Sequence, residues 1–171
     1  MAPGPDPGGI RDRDATGRAR NARPRDALGR PLARDATGTP ALAGDQPLPP
    51  AQALQAAQRL LDAGRSFDAH DVLEAAWKAA PDAERDLWKG LAQLAVGLTH
   101  ARRGNAHGAV TLLRRGAKRL ADYSDSAPYR IDVAGLRARS VDLAGRIEAS
   151  GLTALDSHEL TFALLVPGAQ G

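Results

Sequence analysis

The chain has 171 residues, a formal net charge of +3 and no cysteine, which excludes disulfides, thiolate zinc sites and thiol nucleophiles. Nine of its 12 prolines lie in the first 50 residues and every Phe, Trp and Tyr lies at or after Phe67, so a single, C-terminal core is expected. No apolar run approaches the roughly 20 residues of a membrane span, and the N-terminus lacks the apolar stretch of a signal peptide. The expectation is a cytoplasmic protein with no membrane partner. The isoelectric point near 9.8 reflects a small excess of cations, 20 Arg against three Lys, spread along the chain.

Residues 1–50 interleave Arg, Asp, Gly and Pro without aromatic residues. Such a segment cannot bury enough apolar surface to offset its ordering entropy, and it reads as a flexible, largely self-neutralising extension. A short pattern recurs within it, as Arg13-Asp14-Ala15-Thr16-Gly17, Arg25-Asp26-Ala27-Leu28-Gly29 and Arg34-Asp35-Ala36-Thr37-Gly38. The pattern is too short for a structural repeat unit. A linear motif around Arg20, Asn21, Arg23 and Arg25 is the sharper alternative, because arginine forks pair with phosphate or acidic surfaces, although the interspersed Asp residues weaken it.

From Pro49-Pro50 onward the chain turns helical. Leu54, Ala57, Leu60 and Leu61 predict a first helix over 51–63, stopped by Gly64. Ser66 is a candidate N-cap for a second helix through Ala80, and Pro81-Asp82-Ala83-Glu84 marks the start of a third that runs to about Arg103. Its stripe of Leu87, Leu91, Leu94 and Leu98, widened by Trp88, Ala95 and Ala101, makes it the central helix. Gly104-Asn105 turns the chain into a fourth helix bearing Ala109, Leu112, Leu113, Ala117 and Leu120. Its cations Arg114, Arg115, Lys118 and Arg119 sit where the helix dipole favours them. Asp132 caps a fifth helix that Gly151 ends, and residues 152–166 predict a short turn and a docked apolar strand or coil. The fold class is therefore all-α, about five helices in antiparallel hairpins over 51–150, with a partly docked tail over 151–171. Gly64, Ala69, Val72, Leu73 and Ala80 are echoed forty positions later by Gly104, Ala109, Leu112, Leu113 and Leu120, either as a weak internal repeat or as shared hairpin chemistry.

Several polar residues do not fit a simple core. On a helical wheel His70, Glu74 and Trp77 line one edge of the second helix, and Gln93 and His100 flank the Leu stripe of the third. If those flanks face each other, His70, Glu74, Trp77, Gln93 and His100 converge. One account is a hydrogen-bonded structural network covered by Trp77. The other is a divalent metal held by His70, Glu74 and His100, a ligand set suited to zinc, manganese or iron. His107 and His158 read as exposed. No phosphate loop, nucleophile elbow or paired-carboxylate motif occurs.

The segments Phe67-x-x-His70-Asp71-x-Leu73-Glu74-x-x-Trp77, Gly90-Leu91-Ala92-Gln93-Leu94-Ala95-Val96-Gly97-Leu98-Thr99-His100 and Arg103-Gly104-Asn105-x-x-Gly108-Ala109 together resemble a bacterial family numbered 309 among domains of unknown function. The resemblance spans roughly Leu54 to Tyr123 and departs from the family's usual His-Glu at His70-Asp71, which keeps the acid. It implies a small helical bundle with His70, Glu74 and Trp77 as its signature, an actinobacterial origin for the Arg-rich extension, and no particular activity. Three functions stay open. The first is a non-enzymatic binding or scaffold module with a protein or peptide partner at the groove between its hairpins. The second is a metal-dependent or acid/base enzyme using His70, Glu74 and His100. The third is nucleic-acid association through the Arg-rich regions.

Overall fold

A computed structural model of the protein describes residues 24–33, 37, 46–126 and 128–168. Five helices carry the architecture: α1 (Pro50–Asp62), α2 (Ser66–Ala79), α3 (Asp82–Arg102), α4 (Ala106–Leu120) and α5 (Val133–Ser150). Consecutive helices pack as antiparallel hairpins, α1 on α2, α2 on α3, α3 on α4 and α4 on α5. No described helix is long and apolar enough to cross a membrane.

The reason α3 is central lies in its sequence. Leu87, Leu91, Leu94 and Leu98 recur at helical spacing and are all within 1% of full burial, as is Trp88 beside them. The opposite hairpin partner comes unusually close, because small residues line the contact. A Cβ on Gly97 would stand 3.0 Å from Leu113, and one on Gly116 would stand 2.6 Å from Leu94 and 3.0 Å from the Gly90 carbonyl oxygen.

The α1–α2 and α3–α4 turns use glycine at positive φ, Gly64 at 73° and Gly104 at 79°, which a side chain would strain. The equivalent pairs Ala69 and Ala109, and Leu73 and Leu113, are fully buried in their respective hairpins. Asn105 caps α4 by accepting from the Gly108 N–H, and Asp132 caps α5 by accepting from Gly135. Ser66 does not cap α2. It is the helix's first residue, Arg65 holds the cap position without a side-chain capping bond, and the Ser66 hydroxyl is buried 3.0 Å from Thr99 Oγ1. Thr99 also lies 2.9 Å from the Ala95 carbonyl oxygen. Its single proton serves that carbonyl, so Ser66 supplies the proton between the hydroxyls and satisfies a polar pair in the α2–α3 seam.

The tail beyond α5 passes through 3-10 turns at Leu152–Ala154 and Ser157–Glu159 and then docks in extended form. Leu160, Phe162 and Leu164 face the core, and Gln58 on α1 donates to the Phe162 carbonyl oxygen (3.0 Å) while accepting from the Leu164 N–H (2.7 Å). Arg102 at the end of α3 donates to the carbonyl oxygens of Leu160 and Ser157.

The α3–α4 contact yields a paired test. Gly116→Ala gains helix propensity of about 1 kcal/mol but overpacks the seam by about 1–3 kcal/mol, so chemical denaturation should show a net loss. Gly145→Ala on α5, where a Cβ meets nothing within 4 Å, should stabilise by up to about 1 kcal/mol.

Candidate functional site

The edge of α2 that carries Phe67, His70, Glu74 and Trp77 lies along α3. At one end Lys89 Nζ sits 4.9 Å from the Trp77 ring, and at the other the Arg103 guanidinium sits 5.7 Å from the Phe67 ring. Both are cation–π contacts, worth about 0.5–1 kcal/mol each at exposed sites. Between them His70 packs its ring 6.0 Å from Phe67.

His70 Nδ1 stands 3.2 Å from Asp71 Oδ1, and its Nε2 stands 4.0 Å from Glu74 Oε2. Lys78 already pairs with the other Glu74 oxygen at 3.1 Å. Among the described residues, His70, Asp71 and Glu74 form the group whose ligand atoms lie within 4.8 Å of one another; His100 is not a member. One nitrogen and two carboxylates on a single helix edge can offer three donors from one side to a divalent ion. Gln93 is half-buried, and its Oε1 is shielded from solvent without a hydrogen-bond partner among the described residues.

His100 is engaged elsewhere. Asn105 spends its carbonyl oxygen on the Gly108 N–H, so its amide donates to His100 Nδ1 at 3.0 Å. An accepting Nδ1 requires neutral imidazole protonated at Nε2. Burial, and secondarily the neighbouring Arg103 charge, lower the His100 pKa below its ordinary value. His100 thus orients the residue that caps α4.

The other groups fall into two sets. Arg20, Asn21 and Arg23 lie outside the described residues. Arg25 is turned onto the protein itself, its guanidinium 5.2 Å from the Phe67 ring and its Nη1 2.7 Å from the Gly29 carbonyl oxygen. Residues 24–33 form a closed turn. Asp26 Oδ1 accepts from the N–H groups of Leu28 and Arg30, its carbonyl accepts from Gly29, and Leu32 donates back to Pro24. Gly29, at φ 71°, is buried against the face of Phe67, and any Cβ there would collide with the ring. Arg103 completes the seat by donating from Nε to the Leu28 carbonyl oxygen at 2.7 Å. Arg103 and Gly29 were not candidates on sequence; the threefold pattern around Arg25 was the signal that could have found the turn.

A second polar group is also new. Glu84 accepts from Trp88 Nε1 (3.3 Å) and from the Tyr129 hydroxyl (2.9 and 2.8 Å), and that hydrogen bond raises the Tyr129 pKa. It pins Tyr129, which like Arg130 has positive φ, beside the buried Trp88, with ring centroids 5.9 Å apart. On α4 the cationic run is partly neutralised, Arg114 by Glu148 at 2.5 Å and Arg119 by Asp86.

Comparison with known families matches residues 54–112, 59 of the 171, to a domain of unknown function (DUF309). Over these residues the chain is similar to that family. The match ends eleven residues short of Tyr123 and takes in Phe67, His70, Glu74, Trp77, Gln93, His100 and Arg103, so the whole α2–α3 edge belongs to the DUF309 portion. No curated protein and no solved structure matches the chain.

The His100 geometry sets a pH dependence. The unfolded chain takes up the proton near pH 6.5 and the folded chain only at lower pH, so folding stability should fall as pH drops through about 6.5 and level off below the folded value. His100→Gln, whose amide oxygen still accepts from Asn105, should flatten that slope when denaturant midpoints are compared between about pH 7.5 and about pH 5.

Proposed function

We propose that the chain is a non-enzymatic binding module and that its α2–α3 edge, centred on Phe67 and Arg103, captures a peptide turn. The observation that carries this reading is the seat of residues 24–33. A segment from outside the matched domain places a glycine on the Phe67 face, an arginine against its π-cloud and a carbonyl oxygen on Arg103. These are the elements of peptide recognition: an aromatic platform, a cation that the platform attracts, and a fixed donor for backbone. Self-neutralisation of the α4 cations by Glu148 and Asp86 leaves the nucleic-acid reading with less charge than the composition suggests. Engagement of Arg25 with Phe67 likewise removes one of its proposed contacts.

Hydrogen exchange across 24–33 tests the reading. Phe67→Ala removes the platform, and amides of Leu28, Gly29, Arg30 and Leu32 should exchange about tenfold faster or more, the equivalent of about 1.4 kcal/mol of lost docking. Unchanged exchange in that variant sinks the proposal.

A second reading, divalent metal binding for an acid/base or metal-dependent reaction, draws on the gathering of His70, Asp71 and Glu74. In this arrangement Asp71 stands where the sequence suggested His100 as third donor, and Lys78 competes for Glu74 by pairing with its other oxygen. Protein purified without chelator should then carry close to one equivalent of metal by elemental analysis and lose it in His70→Ala. Metal well below one equivalent removes this reading.

A further inference from the structure

The three copies of Arg-Asp-Ala-x-Gly in the N-terminal extension are unexplained by their position in the chain, but the docked middle copy explains their composition. Three of the four residues common to the copies have a task in the turn, and the variable one contributes only its backbone carbonyl oxygen. The arginine, here Arg25, bonds the Gly29 carbonyl oxygen and lies over Phe67. The aspartate, here Asp26, holds two N–H groups of the turn with one carboxylate oxygen. The glycine takes positive φ and leaves room for the Phe67 ring. The alanine, here Ala27, is exposed, which any small residue tolerates. The fourth residue, Leu28 here and Thr16 or Thr37 in the other copies, meets Arg103 through its backbone carbonyl oxygen, which is the same whichever side chain it carries.

Resting on the peptide-capture reading, we propose that Arg-Asp-Ala-x-Gly is the ligand unit of the Phe67–Arg103 seat and that the copies at 13–17 and 34–38 are alternative occupants of it. Chain length allows the exchange. The 13-residue α1 is about 20 Å long and leads toward the start of α2. Residues 39–49 alone can extend to about 36 Å, so a turn at 34–38 reaches the seat, and one at 13–17 has far more chain to spare. The cost of closing a loop grows slowly with its length, so position in the extension discriminates little among the copies. The seat is then occupied by a family of exchanging turns, and an external peptide of the same chemistry competes with all three.

The chain has two Phe residues, the buried Phe162 and the reporter Phe67, so fluorophenylalanine labelling of the full chain gives a two-line fluorine NMR spectrum. Valine at the turn glycine is β-branched, disfavoured at positive φ and too large for the seat. In the triple variant G17V/G29V/G38V the Phe67 line should move to a free position while the Phe162 line stays. In G29V alone it should stay near the docked position or broaden through exchange, because the remaining copies take over. A peptide of residues 33–40 added to the triple variant should return the line toward the docked position, and the same peptide with Arg34→Ala should not.

If G29V alone moves the line as far as the triple variant does, or if the peptide has no effect, the copies are not interchangeable and the proposal is overturned. If even the triple variant leaves the line in place, the peptide-capture reading itself fails. A docked position that disappears on dilution assigns the occupant to a second molecule and overturns exchange within one chain.

Discussion

Burial of α3 on its flanks fixes where every other group can stand. Eleven of its 21 residues are buried, including glycines that let α4 approach closely, so α2 and α4 are held at set distances on either side. Beyond its exposed first turn, such a helix shows side chains mainly along the seams with its neighbours. Lys89 lies on such a seam, and it meets the polar edge of α2 because the antiparallel pairing places Trp77 opposite Lys89 and Ser66 opposite Thr99. The edge is thus a product of core packing, with its polar groups arranged by apolar constraints.

Helix periodicity made most of this legible. The Leu stripe of α3, the positive-φ glycines at 64 and 104, the Asp132 cap and the apolar tail were all readable because each depends on neighbours within a few turns. Ser66 misled because a serine at a helix start is a cap by local chemistry, whereas here the nearby Thr99, thirty-three residues away, offers a buried partner. His100 carried the same ambiguity. Its spacing from Gln93 suggested a shared site, but the decisive partner is Asn105 in the following turn, whose amide has one end already committed. The seat for residues 24–33 was out of reach, since stacking of a glycine on a phenylalanine thirty-eight positions later leaves no periodic trace. The signature residues could be named, though the assembly they form could not be derived from spacing.

The arginine excess has a structural use. Arg25, Arg102, Arg103 and Arg139 all donate to backbone carbonyl oxygens of irregular segments, those of Gly29, of Ser157 and Leu160, of Leu28, and of Glu159. Irregular chain leaves carbonyls without ladder partners, and the planar guanidinium, with five donors, satisfies them at several angles where an ammonium offers a single point. A basic composition in this protein therefore accompanies turns and tails outside the long helices. Arg146 extends the theme to a carboxylate, pairing with Glu159 at 2.6 Å beside the same tail.

Arg102 and Arg103 are adjacent at the end of α3, and they hold opposite ends of the chain. One bonds the C-terminal tail and the other the N-terminal turn, both from the helix terminus where the dipole welcomes cations. Fraying of a single helical turn would free the two ends together, because both anchors ride on the same few backbone hydrogen bonds. The turn at 24–33 and the docked tail are thereby thermodynamically linked: whatever steadies the tail against Arg102 also steadies the helix end that presents Arg103, and strain applied to either segment is shared through one α-helical turn.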